Sequence, residues 1–256
     1  MPFVPAQSID EVLQQLDQII ADSIDQASLL GAFAALYRQV TARVKQGIAD
    51  GRFEDGARME RLDVVFANRY LAAYAQYKAA GEFPTQSWLL AFEKTRLPEL
   101  LIIQHLFLGM NAHINLDLGI AAAEIAPGES IHELEKDFME INQLLLEMVG
   151  AVQKRIGELS PLFWLLDWLG GVSDERLAGF SLKAARDQAW RMACRLAPMS
   201  ADQRSEEIPE VDAGVLLLAE LIARPPGFFH SKLFRLVKWL EETDPQKIVR
   251  ALQRPF

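Results

Sequence analysis

The segment from Leu100 to Glu124 constrains the fold more than any other part of this chain. It is long and apolar enough for a buried helix, yet it carries two histidines, two asparagines and one aspartate. Burying an imidazole or a carboxylate costs on the order of several kcal/mol unless a hydrogen-bond partner or a ligand compensates for the lost contact with water. The sequence therefore predicts a central helix whose polar side chains have hydrogen-bond partners, a metal ion or a polar cavity.

The polar residues of this segment are predicted to share a helix face. At about 100° per residue, with His105 at zero, His113 lies near 80° and Asp117 near 120°. Gly109 lies between them at about 40°, where a missing side chain leaves room for a ligand or a neighbouring backbone. This face is the candidate functional site.

His113 and Asp117 are four residues apart, which is a spacing that can orient two metal ligands on one helix. Imidazole and carboxylate both bind zinc and iron well. With His105 on the same face, the pattern predicts a divalent metal, zinc or iron, held by His105, His113 and Asp117. The alternative is that Asp117 simply accepts a hydrogen bond from His113 and fixes its tautomer inside a packed core.

Asp63 lies in an apolar part of an earlier predicted helix and is the candidate catalytic residue. It could be a fourth metal ligand or a base, because helical bundles build such sites from facing helices. The alternative is a salt bridge to Arg61, Arg69 or another cation. Asn111 and Asn115 point away from His113, and we expect this pair to attach a neighbouring helix or to relieve a local distortion.

Helical periodicity runs through the whole chain, and no segment alternates with a two-residue period between hairpin turns. We expect an all-α fold with about eight to ten helices in a bundle-like single domain spanning 1–256. The polar run from Ser200 to Glu210 is the best candidate for a linker or a minor boundary. Four helices are predicted before the central segment: one capped by Ser8, one from Ser28 to near Gly51, one from about Asp55 to Ala80, and one from Gln86 to Lys94 capped by Thr85. Five are predicted after it: Ser130 to about Leu159 with a Ser130/Glu133 capping box, about Asp174 to Leu196 capped by Ser173, Val211 to Arg224, about Lys232 to Glu242, and Pro245 to Leu252. A short apolar piece lies at Leu162 to Leu169.

Composition narrows the class of partner. The net charge of −9 argues against a protein that binds nucleic acid through clustered cations. Cys194 is the single cysteine, which excludes an internal disulfide. We see neither a signal peptide nor a segment apolar enough to span a membrane comfortably, so a cytoplasmic protein is expected. A small-molecule ligand or substrate is the expected partner.

Three parts of the sequence carry a family resemblance: Arg61 to Tyr70, Trp88, and the segment HLFLGMNAHINLD from His105 to Asp117. Over about residues 50–125 the chain resembles a family of bacterial and fungal helical proteins catalogued as a domain of unknown function. A weaker similarity is to zinc-dependent phospholipase C and related single-strand-specific nucleases. Their zinc ligands include a His-x-x-x-Asp element, which only His113 and Asp117 match here, and they use many more histidine ligands.

These patterns support more than one function. The first hypothesis is a metal-dependent hydrolase in which a metal-bound water attacks an apolar or amphiphilic small substrate. The second is a helical ligand-binding or interaction protein without enzymatic activity, whose buried His, Asn and Asp side chains form a hydrogen-bond network. A third, oxidative chemistry at iron or haem, is not separated from the first by the sequence.

Overall fold

The computed structural model describes residues 3–79, 84–162, 165, 182–226 and 228–255. These residues contain helices and no strand, so the predicted all-α class is confirmed. If residues 102–125 are counted as one helix, the described part has ten α-helices, within the predicted number. The helices are α1 (Ile9–Asp25), α2 (Leu30–Ala49), α3 (Gly56–Lys78), α4 (Gln86–Lys94), α5 (Ile102–Met110), a π-helical segment (Asn111–Leu118), α6 (Gly119–Ile125), α7 (Ile131–Leu159), α8 (Leu182–Leu196), α9 (Ala201–Ala223), α10 (Phe228–Leu240) and α11 (Pro245–Leu252).

The central helix, Ile102–Ile125, consists of α5, the π-helical segment and α6. It packs against α2, α3, α4, α8 and α9, and most of its side chains are buried. Among the described helices it alone has the length and apolar character needed to cross a membrane, but core helices of globular proteins have the same properties. Burial against these helices accounts for the apolar composition of the segment.

The helix starts show which capping predictions hold. The Ser8 hydroxyl accepts a hydrogen bond from the Glu11 amide at 3.3 Å, as expected for a cap. The Ser130/Glu133 capping box is wrong, because the Ser130 hydroxyl donates to the Pro127 carbonyl instead. The predicted Thr85 cap is also wrong, since its hydroxyl makes no capping bond.

Carboxylates distant in sequence accept backbone amide hydrogen bonds at the starts of α4 and α5 and just before α3, where Asp55 is the local cap. Asp212 of α9 accepts hydrogen bonds from the amides of Gln86 and Ser87 at 2.6 and 3.1 Å. Glu241 accepts from the amide of Ile102 at 3.1 and 3.2 Å. Asp137 of α7 does the same for the amides of residues 54 and 55, just before α3. All three carboxylates are buried, and these amides offset part of the cost of burying them. Asp137 also pairs with Arg58, and Glu241 pairs with Lys238.

The polar run from Ser200 to Glu210 is a correction to the sequence prediction. Ser200 caps α9, and Gln203 completes a capping box with it, so the helix begins at Ala201 rather than at Val211. The run is therefore helical, and the predicted single domain stays a prediction. Most of the apolar piece at Leu162 to Leu169, and the predicted Ser173 cap with the first part of its helix, lie outside the described residues.

Candidate functional site

A cavity of about 420 Å³ lies between α2, α3, the central helix, α7 and α8. Its wall is formed mainly by aliphatic and aromatic side chains, which is typical of small-molecule sites. Five polar side chains also line it among the described residues: Tyr37, Asp63, His113, Gln153 and Arg186. The cavity thus brings together Asp63, the predicted catalytic residue, and His113, one of the predicted metal ligands, with residues of helices that are distant in sequence.

Asp117 lies behind this wall, and both of its carboxylate oxygens accept hydrogen bonds. Its Oδ1 accepts a hydrogen bond from Nε of Arg69, and its Oδ2 accepts one from Nε1 of Trp88, both at 2.8 Å. Nδ1 of His113 lies 3.6 Å from Oδ2, too far for a hydrogen bond but close enough for electrostatic attraction. The predicted proximity of His113 and Asp117 is confirmed, and Arg69 and Trp88 are partners that spacing alone did not reveal.

His113 is enclosed by aromatic rings. Its imidazole stacks on Phe66 with 3.6 Å between ring centroids, and the Tyr37 ring packs edge-on at 4.4 Å. Burial lowers the pKa of His113, although the nearby Asp117 carboxylate opposes that effect. The imidazole is therefore neutral at pH 7. Neither ring nitrogen has a hydrogen-bond partner in the described part of the chain, and Nδ1 is the nitrogen that faces the Asp117 carboxylate.

Asp63 and Tyr37 are the other polar groups at this end of the cavity. Asp63 is buried, and its Oδ2 has no hydrogen-bond partner among the described residues. The alternative salt bridge from Asp63 to Arg61 or Arg69 is not formed in the described structure, and Arg69 pairs with Asp117 instead. Burial, followed by the negative charge of Glu60, raises the pKa of Asp63 to about 8. The carboxyl group is mainly protonated at neutral pH and can donate a hydrogen bond, as can the unpaired Tyr37 hydroxyl.

His105 lies elsewhere. It is buried on α5, but it is not among the described residues that line the cavity. Burial, with the positive charge of Lys238 on α10, lowers the pKa of His105 to about 4. No group of three or more His, Cys, Asp and Glu side chains suited to a metal ion occurs in the described ranges. The predicted ligand set His105, His113 and Asp117 is therefore not brought together, and the zinc or iron site stays a prediction.

The helix geometry changes between His105 and Asp117. Residues Asn111–Leu118 form a π-helix, whose wider turns differ from the α-helical spacing assumed from the sequence. Asn115 donates to Oδ1 of Asn111 at 2.9 Å, and Asn111 donates to the Val215 carbonyl of α9 at 2.9 Å. The asparagine pair thus attaches α9 to this segment, as predicted.

Gly109 has a different role from the one expected of a ligand site. A Cβ atom there would lie 2.6 Å from the ring of Phe33, which is far inside van der Waals contact. The missing side chain makes room for this ring of α2, which packs edge-on against Trp88 and His113. The space predicted for a ligand or backbone is thus filled by an aromatic side chain.

Arg186 of α8 is the polar wall residue that sequence reasoning missed. It is only 3% exposed and remains cationic at pH 7, although burial lowers its pKa to about 9. Its Nη2 donates to the Phe138 carbonyl at 2.7 Å, its Nε donates to Asn142, and its guanidinium lies over the Phe138 ring. Its position between Ala185 and Asp187 gives no signal in the sequence, because the cavity is formed only by tertiary packing.

A protein-family model matches most of this chain. The model of a family described as "Family of unknown function (DUF5995)" matches residues 9–225. The chain belongs to this family. The match to DUF5995 is wider than the 50–125 resemblance seen in the sequence, and it includes every described residue that lines the cavity.

The other comparisons add no function to DUF5995. No curated protein and no solved structure matches the chain. The suggested similarity to zinc-dependent phospholipase C, carried by His113 and Asp117, therefore gains no support.

Proposed function

We propose that this protein binds a small, mainly apolar molecule in the cavity between α2, α3 and α7. The observation that carries the proposal is the cavity of about 420 Å³ whose apolar wall includes the unpaired polar atoms of Tyr37, Asp63 and His113. Cavities of this size with a few converging polar groups are typical of small-molecule sites.

The polar groups favour a ligand over a purely structural network. Buried polar atoms are normally hydrogen-bonded, because leaving one unpaired costs about 1–3 kcal/mol. Asp63, Tyr37 and His113 belong to three different elements and share this lack of partners among the described residues. A ligand hydroxyl or carbonyl group at this place would pair with the Asp63 carboxyl and the Tyr37 hydroxyl, while its apolar part displaces water from the wall.

The metal-dependent hydrolase expected from the sequence stays a second possibility. In that reaction the protonated Asp63 is suited to donate a proton rather than to take one at neutral pH. The binding proposal does not depend on this chemistry.

A cavity-filling variant tests the proposal. Leu145 of α7 lines the cavity, whereas the next residue, Leu146, is 61% exposed. We expect saturable binding of the neutral apolar dye Nile red to the wild-type protein. Leu145→Trp should weaken this binding about tenfold or more because the indole occupies the cavity, and the control Leu146→Trp should change it less than about twofold.

Thermal unfolding of both variants shows whether they are folded. Absence of saturable dye binding to the wild type would overturn the proposal. Equal loss in Leu145→Trp and Leu146→Trp would overturn it as well, since the dye would then bind outside the cavity.

A further inference from the structure

Arg186 is a buried cation in the wall of an apolar cavity. Buried charges are nearly always paired or neutralised, because transferring an isolated charge out of water is very costly. The hydrogen bonds from Arg186 go to a backbone carbonyl and an amide oxygen, which are both uncharged acceptors. The positive charge therefore remains uncompensated by these contacts.

The acidic side chain that follows Arg186 in the sequence does not form an ion pair with it. Asp187, the next residue, is held by Lys183 at 2.6 Å on the outer face of α8. Within the described ranges no carboxylate lies within ion-pair distance of the Arg186 guanidinium. This arrangement leaves a cation that faces a space large enough for a small molecule.

The other titratable groups of the cavity do not oppose an anion there. Tyr37 from α2 and Asp63 from α3 are protonated at pH 7, and His113 from the central helix is neutral. No formal negative charge lines the described wall, and Arg186 supplies its single positive charge. An anionic group in this cavity thus meets one attractive charge and a wall that is otherwise neutral.

We infer that the ligand of this cavity is an apolar carboxylic acid whose carboxylate pairs with the Arg186 guanidinium. The apolar part lies along Ile141, Leu145 and Leu182, which line the same region of α7 and α8. Arginine suits this role because its guanidinium offers several donors to a carboxylate and stays charged when partly desolvated. The inference rests on the proposed binding function and names its ligand class.

Calorimetric titration with decanoate and decanol tests the inference, because the two probes differ only in the head group. We expect decanoate to bind the wild-type protein about tenfold or more tightly than decanol at pH 7, since a charge-assisted hydrogen bond is lost in the alcohol. Arg186→Met should abolish this preference and leave decanol binding nearly unchanged. Arg186→Lys keeps a cation without the planar donor pair and should retain part of the preference.

Arg191→Met is the matched control, because Arg191 is exposed on the same helix and bonds only to Gln188 in the described structure. It should bind both probes like the wild type. If Arg186→Met fails to fold, the wild-type comparison and Arg186→Lys still decide the result. Equal binding of decanoate and decanol would overturn the inference and leave the cavity function intact, whereas failure of Nile red and both probes to bind would overturn the proposed function.

Discussion

The guanidinium of Arg69 forms an ion pair with the carboxylate of Asp117, with 2.8 Å between Nε and Oδ1. The carboxylate is 2% exposed and the arginine side chain 23% exposed. Trp88 binds the second carboxylate oxygen. One side chain of the π-helical segment thus connects α3 and α4 directly behind the cavity wall.

Removing this carboxylate should destabilise the protein strongly. We expect Asp117→Ala to lower the free energy of unfolding by about 3–5 kcal/mol, because it leaves the Arg69 charge and the buried Trp88 indole without a partner. Arg61→Met, an exposed arginine on the same helix as Arg69, should change it by less than about 0.5 kcal/mol. Urea unfolding measures both. Similar stability for Asp117→Ala and the wild type would contradict the assigned role of this ion pair.

The pKa of Asp63 gives the stability a specific pH dependence. The pKa of about 8 in the folded protein lies above the value of 3.8 expected for the unfolded chain. The unfolded state therefore loses its proton first, and the contribution of Asp63 to stability is present below about pH 4 and is lost progressively as the pH rises to 8. Each pH unit in this window costs up to about 1.4 kcal/mol.

Asp63→Asn should remove this dependence. We expect the variant to gain stability relative to the wild type between pH 5 and pH 8, as measured by urea unfolding at both pH values. Asp25→Asn, at an exposed position, is the control and should show a constant difference from the wild type. A difference for Asp63→Asn that stays constant between these pH values would show that the carboxyl group is ionised in the folded protein.

Two glycines provide a matched pair of substitutions. Gly109→Ala should lower the stability by about 1–3 kcal/mol, because its Cβ would lie 2.6 Å from the Phe33 ring. Gly150→Ala on α7 should raise it by about 0.5–1 kcal/mol, because open space surrounds that position and alanine favours the helix. Thermal unfolding measures both changes. Equal effects of the two substitutions would mean that Phe33 does not pack against Gly109.

The metal prediction has a direct test that does not depend on an activity. If His113 holds zinc or iron, elemental analysis of protein purified without an affinity-tag metal gives a near-stoichiometric content that disappears in His113→Ala. His132→Ala is the control, since His132 is exposed at the start of α7. Protein that contains no such metal and takes up none would refute the sequence-based metal site and leave the binding proposal standing.

Local sequence patterns predicted the helices and part of the candidate site. The spacing of His113 and Asp117, and of Asn111 and Asn115, places each pair in contact because four residues span about one helical turn. The Ser8 cap follows from the same local chemistry.

Long-range relationships were not predictable from one sequence. Arg69 and Arg186 are ordinary helical arginines in the sequence, and only tertiary packing places one beside Asp117 and the other in the cavity wall. The expected common face of His105 and His113 assumed uniform α-helical geometry, whereas a π-helical segment lies after Met110. Thr85 was a reasonable local cap, but Asp212, which is 126 residues from Gln86, takes that role.

The two buried carboxylates that bind the starts of α4 and α5, Asp212 and Glu241, also bear on how the chain folds. The first turns of α4 and α5 obtain their acceptors from α9 and from Glu241, which come more than 100 residues later in the sequence. Neither helix start has these acceptors while the chain is still lacking its last quarter, although Gln104 accepts locally from the Leu101 amide before α5. We therefore expect a fragment that ends before α9 to have frayed starts of α4 and α5, and since α5 lines the cavity, ordering of the cavity is expected to depend on completion of the chain.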